Sequence, residues 1–531
     1  MKLPLSPVRC LYRAVDLYGR KEAIVSGARR FTYAEFGERC ERLAAGLQRL
    51  GVGRGDRVAF LSFNGHELLE GYYAPALIHA ISMPLNVRLS VTELAEILNH
   101  AEPRVLVFEN DFAPLAAEFR KTCPAITRYV AIGDERADAD VTYEELLSWG
   151  RLNRPPIACF DEDEIAELFY TSGSTGTPKG VMLSHRTLYL HALNVTGCVT
   201  QNDRFVELHT IPLFHANGWG RPQTATMNGA KQVMVRRFEP ALVLRLIEEE
   251  RATGMSLVPV MANALVNAAE AATFDTSSLE EIHLGGAAAS PELVARLERT
   301  FHCRVMAGYG LTETAPVATS ARDKDCVFYR DEADRLFHRA TAGWPILGTE
   351  IRVVDAEGRD VARDMRAVGE VVIRGDGVMD GYYREPEATC AAIEGGWLRT
   401  GDMAVWDAEN YIHIVDRKKD IIISGGENIS SLEIEKAVAT HPAVLECAAF
   451  AVPDAKWGEA PAVVVTLKPE CELSEEDLVS FLQTRLARFK LPRIVEFRSE
   501  PLPKTGSGKI LKRELRAPYW AGREQQVHRT G

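Results

Sequence analysis

The sequence predicts an α/β protein with a β-rich segment near residue 341 and a small α+β domain at its C-terminal end. Three observations predict this. Helical and strand-like patterns alternate through the first 340 residues, which implies parallel sheets covered by helices. After about Gly343 only short strands separated by turns remain. From Lys419 helices and strands mix again.

The elements follow in order. Thr32 and Glu35 form a capping-box pair, and Leu43, Leu47 and Leu50 repeat at helical spacing before Gly51 and Gly53. Arg57 to Ser62 reads as a strand, followed by an apolar helix to about Ile81. Ile165 to Tyr170, Met255 to Val258, Glu281 to Leu284 and Arg304 to Ala307 read as buried strands. Ser290 and Pro291 supply an N-cap and a first-turn proline for a helix through about Arg299. Glu350 to Asp355 and Gly369 to Arg374 read as strands of a small barrel or sandwich. The last segment predicts helices at about Ser431–Thr440 and Ser474–Leu486, with strands near Ala448–Val452 and Ala462–Leu467.

A chain of 531 residues exceeds one ordinary core, so two to four domains or subdomains are expected. Its 46% hydrophobic and 26% charged content are those of a globular protein. The net charge of −12 argues against nucleic acid as the main partner. Ten cysteines are scattered without a C-x-x-C pair, so neither zinc nor disulfide spacing is visible. No apolar leader, membrane span or peroxisomal C-terminal signal is read, and a cytoplasmic protein is expected, with peripheral membrane contact left open.

Tyr170 to Gly180 is the most informative stretch. Thr171, Ser172, Ser174 and Thr175 supply hydroxyls, Gly173, Gly176 and Gly180 supply flexibility, and Lys179 supplies charge. Such a loop can turn its N–H groups inward around a polyphosphate. It is not a Walker A loop, because Pro178 precedes the lysine and Gly180 follows it.

Further polar or glycine-rich islands follow short apolar strands: His209–Trp219, Leu284–Ser290, Gly308–Thr314, Arg399–Asp402, Asp416–Asn428 and Pro501–Lys509. Ligands of open α/β sheets sit beyond the carboxyl ends of strands. In this order, from about Tyr33 to Leu515, the islands resemble the adenylate-forming superfamily of acyl-CoA synthetases, aryl-CoA ligases, nonribosomal adenylation domains and luciferases, nearest the fatty-acyl-CoA ligases.

The resemblance implies a large domain over 1–418, with two parallel α/β subdomains (about 1–165 and 166–340) and a small β-barrel (341–418). A mobile small domain (419–531) would turn about Lys419. It implies ATP, Mg²⁺ and CoA, and no nucleic acid. The loop Thr171–Lys179, including Thr177, would hold the β- and γ-phosphates. Thr312 would touch the α-phosphate, and Glu313, with Thr175, would hold Mg²⁺. Tyr309 would stack on adenine, with Gly285, Gly286, Ala287 and Gly310 around it. Asp402 would accept the ribose hydroxyls, with Arg417 near the ribose or phosphate. Lys509 would bridge the substrate carboxylate and the α-phosphate. Gly425, Gly426 and Glu427 would line the path of CoA.

The acid pocket would include Trp219, Ala288, Ala307 and Gly308, and Trp219 would gate an acyl tunnel. His215 would either orient the carboxylate or fill the floor of the site. No Asp, Arg or Lys falls at 215–219, 258–261, 286–289 or 307–308. That favours a neutral, apolar acid over an amino acid. The expected enzyme is an AMP-forming acyl-CoA ligase, monomeric or homodimeric. The alternatives are an aryl-acid CoA ligase or an adenylating enzyme that loads a carrier protein.

Overall fold

The computed structural model describes residues 2–172, 178–199, 201–271, 273–424, 427–454, 456–504 and 510–521. The chain divides into two units. One comprises Met1–Ile351, Ile373–Leu398 and Glu409–Ile412, and the other Arg352–Val372, Arg399–Ala408 and His413–Gly531.

The first unit contains two large sheets. In the eight-stranded sheet the order is Gly381–Tyr382, Pro178–Ser184, Ile165–Ser172, Ile81–Pro84, Arg57–Leu61, Val105–Glu109, Arg128–Ile132 and Val141–Thr142. Its strands are parallel from Ile165–Ser172 to Val141–Thr142, and the two at the other end are antiparallel. The nine-stranded sheet runs Trp344–Pro345, Val317–Ser320, Arg304–Gly310, Glu281–Leu284, Gly254–Leu257, Val206–His209, Lys231–Met234, Glu22–Ser26 and Arg29–Thr32. It is parallel from Arg304–Gly310 to Glu22–Ser26.

The sheets share the chain across residue 165. The N-terminal hairpin Glu22–Thr32 joins the nine-stranded sheet, while Ile165–Ser184 and Gly381–Tyr382 join the eight-stranded one. The buried strands are near-continuous apolar runs, as parallel sheets covered on both faces require.

Local signals behave as the residues dictate. Thr32 caps the helix Tyr33–Arg49: its Oγ1 accepts from the Glu35 N–H at 3.3 Å, and Glu35 Oε2 accepts from the Thr32 N–H at 2.7 Å. Ser290 Oγ caps Pro291–Phe301 by accepting from the Leu293 N–H.

The helix expected to reach Ile81 stops early. It spans His66–Tyr73, a 3₁₀ turn covers Ala76–Ile78, and Ile81–Pro84 is a strand. Pro75 and the left-handed His79 (φ 60°) turn the chain, and a buried run of only four residues reads alike as helix or strand.

In the second unit lies most of a five-stranded sheet in which Thr349–Val354, Gly369–Gly375 and Trp397–Trp406 are successive neighbours and Ile412–Arg417 pairs with Trp397–Trp406. A further sheet is built on the long hairpin Val444–Asp454 and Gly458–Leu467, joined by Ile422–Ser424, Glu427–Ile429 and the parallel strand Ile494–Arg498. Helices Ser431–Ala439 and Glu475–Gln483 cover this sheet through Ile434, Val438, Leu478 and Leu482. No helix among the described residues is long and apolar enough to cross a membrane.

Candidate active site

The segment read as a phosphate loop joins two antiparallel strands. Thr171 lies opposite Lys179 and Tyr170 opposite Gly180, so the ladder closes on both sides of residues 173–177. Gly173, Ser174, Thr175, Gly176, Thr177 and the Ser172 side chain lie outside the described residues, as do Gly425, Gly426 and Lys509.

Lys179 Nζ stands 4.9 Å from the ring centroid of Tyr382. The Tyr382 hydroxyl donates to Glu313 Oε1 at 3.0 Å. Burial, then the Glu313 carboxylate, pushes the Tyr382 phenol well above its ordinary range, so it is a neutral donor at physiological pH. Two of the expected residues therefore meet through a third that sequence reasoning passed over. Tyr382 carries no charge and sits in a Gly-Tyr-Tyr run that reads simply as strand.

Glu313 lies in the 3₁₀ turn Thr312–Thr314, just past the strand Arg304–Gly310. Thr314 ties this turn by accepting from the Leu311 N–H at 3.0 Å. Gly310 is needed here, because a Cβ on it would stand 1.7 Å from the Pro316 carbonyl oxygen. Thr312 is buried and Glu313 half-buried. A partly accessible carboxylate with one oxygen held by a neutral donor offers the hard oxygen that Mg²⁺ prefers.

Leu284 and Ala307 are register partners on adjacent parallel strands, so Gly285–Ala288 and Gly308–Gly310 emerge side by side. Gly285 is buried, Gly286, Ala287, Ala288 and Gly310 are exposed, and Tyr309 is intermediate. The Tyr309 N–H donates to Thr319 Oγ1 at 3.1 Å, which orients the strand end. A Cβ on Gly285 would stand 2.9 Å from Cη2 of Trp219, and one on Gly286 would stand 3.1 Å from Cγ1 of Val258. The Trp219 indole thus rests on glycine backbone.

The chain reaches that placement by an uncommon route. Ala216, Asn217, Gly218, Trp219 and Gly220 all have positive φ, between 45° and 68°. A left-handed turn costs L-residues roughly 1–2 kcal/mol each and persists only when its surroundings enforce it. Gln223 Nε2 donates to Asn217 Oδ1 at 3.0 Å and to Glu167 Oε1 at 2.8 Å. Burial holds the Glu167 carboxyl well above the usual range. Arg221, at the start of the next helix, makes a fully buried ion pair with Glu207 at 2.6 Å. His215 is half-buried at the mouth of this turn, its carbonyl accepting from the Gly218 N–H. The sequence signal that could have found the support is Glu167, a charged residue inside an apolar strand.

In the second unit Arg417 Nε lies 2.7 Å from Asp402 Oδ1, and the Asp402 side chain is 4% exposed. The Lys418 N–H donates to the Gly401 carbonyl at 2.8 Å, holding the two strands in step. Lys419 is exposed and its carbonyl accepts from Arg516 Nη1 at 3.3 Å. Glu427 is exposed and pairs with Ser424.

The family model for AMP-binding enzymes matches residues 11–383, and that for the C-terminal domain of AMP-binding enzymes matches 433–509. The chain belongs to the AMP-binding enzyme family. It is 40% identical to a long-chain-fatty-acid–CoA ligase of Thermus thermophilus, over 96% of this chain and 94% of that protein. It is 34% identical to 4-hydroxybutyrate–CoA ligase 2 of Metallosphaera sedula, over 96% and 94%. Among solved structures, the anthranilate CoA ligase AuaEII in complex with anthranoyl-AMP is similar at a TM-score of 0.84, with 26% identity and 98% of each chain covered.

Proposed function

We propose that the acid this protein activates is a fatty acid of medium or long chain, or a similar apolar carboxylic acid. As a member of the AMP-binding enzyme family it is an AMP-forming acid–CoA ligase. The observation that carries the choice of acid is the Trp219 indole on Gly285 and Gly286, with Val258 beside Gly286 and no Asp, Arg or Lys at 215–219, 258–261, 286–289 or 307–308. Apolar lining with few polar groups suits an apolar acyl chain.

A carboxylate is a poor electrophile because its leaving group would be oxide. In the proposed first step its oxygen attacks the α-phosphorus of ATP, the bond to the β-phosphate oxygen breaks, and acyl-AMP and pyrophosphate form. Charge on the phosphoryl oxygens is what cations and aimed N–H groups stabilise. Lys179 and the loop 171–179 would hold the leaving pyrophosphate. Thr312 would contact the α-phosphate and Tyr309 the adenine. Bound Mg²⁺ supplies charge neutralisation of the phosphates, and Glu313 is the described carboxylate that fits it. Asp402 and Arg417 would hold the ribose, and Lys509 would offset the repulsion between carboxylate and α-phosphate. In the second step the CoA sulfur attacks the acyl carbon and AMP leaves. Rotation about Lys419 would exchange Lys509 for the path beside Gly425, Gly426 and Glu427. A cytoplasmic setting is part of the same proposal.

A second reading, an aromatic acid, is supported by the indole at the pocket wall and by the likeness to an anthranilate ligase. ATP–pyrophosphate exchange over a panel of fatty, hydroxylated and aromatic acids tests both, with mass spectrometry of products with and without CoA. Fatty acids are expected to give the highest exchange, with acyl-CoA only when CoA is present. Preference for aromatic acids selects the second reading, and exchange without a CoA product points to a carrier-loading enzyme.

A further inference from the structure

Tyr382 has no part in the roles above, yet it touches both charged groups of the phosphate side. Its hydroxyl donates to Glu313 Oε1 at 3.0 Å, and Lys179 Nζ stands 4.9 Å from its ring centroid. Its backbone is stitched to both of their elements. The strand Gly381–Tyr382 runs antiparallel to Pro178–Ser184, with Tyr382 opposite Val181 and Gly381 opposite Met182. The Tyr383 N–H donates to the Gly180 carbonyl at 2.7 Å, next in sequence to Lys179. The Met379 N–H donates to the carbonyl of Glu313 itself at 2.9 Å. The Tyr382 N–H donates to Thr389 Oγ1 at 2.9 Å, which fixes the segment from its far side.

A lysine and a glutamate held near one another would ordinarily close into an ion pair. Here that pair would consume the ammonium meant for phosphate and the carboxylate meant for metal. A tyrosine prevents this without discarding either charge. Its hydroxyl satisfies one carboxylate oxygen as a neutral donor, and its ring face attracts the ammonium through the quadrupole.

We propose that Tyr382 is a positioning residue: it holds Glu313 with one oxygen turned toward the metal–nucleotide and keeps Lys179 beside it, unpaired with that carboxylate. The inference rests on reading Glu313 as the metal carboxylate. Loss of a partner that orients a ligating group typically costs roughly 10- to 100-fold in metal affinity.

The test compares the wild type with Tyr382→Phe, Tyr382→Leu and Glu313→Gln. ATP binding is measured by calorimetry against Mg²⁺ concentration and again in EDTA, without acid or CoA, so no turnover enters. Thermal unfolding is recorded for each variant. Tyr382→Phe is expected to raise the Mg²⁺ concentration for half-maximal binding roughly tenfold or more, as loss of an orienting partner does. Its ATP affinity in EDTA should stay within about twofold of the wild type, because the ring is kept. Tyr382→Leu should also lose about threefold in ATP affinity in EDTA, the size of an exposed cation–π contact. If Glu313→Gln shifts the Mg²⁺ requirement while Tyr382→Phe does not, the inference is overturned and the reading of Glu313 stands. If Glu313→Gln leaves the requirement unchanged, both are overturned. If every Tyr382 variant loses ATP affinity in proportion to its loss of melting temperature, the residue is structural only and the inference is again overturned.

Discussion

Arg417 Nε sits 2.7 Å from Asp402 Oδ1, so the carboxylate expected to take the ribose hydroxyls is oriented by a cation of its own unit. A hydrogen bond to a charged group contributes about 1.5–3 kcal/mol, so Arg417→Ala is expected to raise the KM for ATP roughly tenfold or more in pyrophosphate exchange. Arg417→Lys should recover little of this, because an ammonium lacks the planar guanidinium geometry.

Trp219→Ala should redistribute activity among acids. Removing the indole from Gly285 and Gly286 would open the wall of the proposed acid pocket. One methylene in an apolar pocket is worth about 1–3 kcal/mol, so the ratio of kcat/KM for long over short acids should rise about tenfold or more. An unchanged ratio over a homologous acid series would remove Trp219 from the pocket.

Lys509→Ala is expected to abolish acyl-AMP formation and largely spare thioester formation from supplied acyl-AMP. Lys419→Pro is expected to do the opposite, slowing the thioester step more than adenylation. Single-turnover rates of the two half-reactions decide each, and equal losses in both would speak against these roles.

Stability should fall as the solution is acidified from about pH 6.5. Burial lowers His185 and His191 to about 4, from an ordinary value near 6.5. Between those values the unfolded chain binds protons that the folded chain refuses, so stability present above pH 6.5 is lost on the way down to 4. Each histidine contributes a slope of up to about 1.4 kcal/mol per pH unit. His191 Nε2 accepts from the Val317 N–H, and the neutral ring suits that bond. Denaturant unfolding at pH 7.5 and 5.0 should show a smaller difference for His191→Gln than for the wild type.

Arg221→Met should destabilise the first unit by about 3–5 kcal/mol, because it leaves the buried Glu207 carboxylate without its cation. The double variant Arg221→Met, Glu207→Met should recover much of that loss in thermal unfolding.

Much of this architecture can be read from local chemistry. The pairs Thr32–Glu35 and Ser290–Leu293 mark helix starts because a capping bond involves neighbours three residues apart. What escapes such reading is non-local. Nothing near Pro178 announces that the loop closes a hairpin, since that depends on Ile165–Ser172 finding an antiparallel partner. Tyr382 reaches Glu313 across 69 positions. Ile81–Pro84 is only four residues long and follows an apolar helix closely, and its parallel neighbours make it a strand. The candidate site divides in the same way: Glu313, Lys179, Asp402 and Arg417 are named from their own neighbourhoods, whereas Tyr382, which touches Glu313 and Lys179, comes from a remote segment.

The run of positive φ from Ala216 to Gly220 bears on how the proposed acid pocket can be remade. Trp219 occupies a conformation that only glycine adopts freely. Trp219→Gly would therefore widen the proposed acid site and release backbone strain together, whereas β-branched replacements there would add to it. On the proposed role of Trp219, a position that would alter the choice of acid is also one whose tolerated substitutes the backbone has already narrowed.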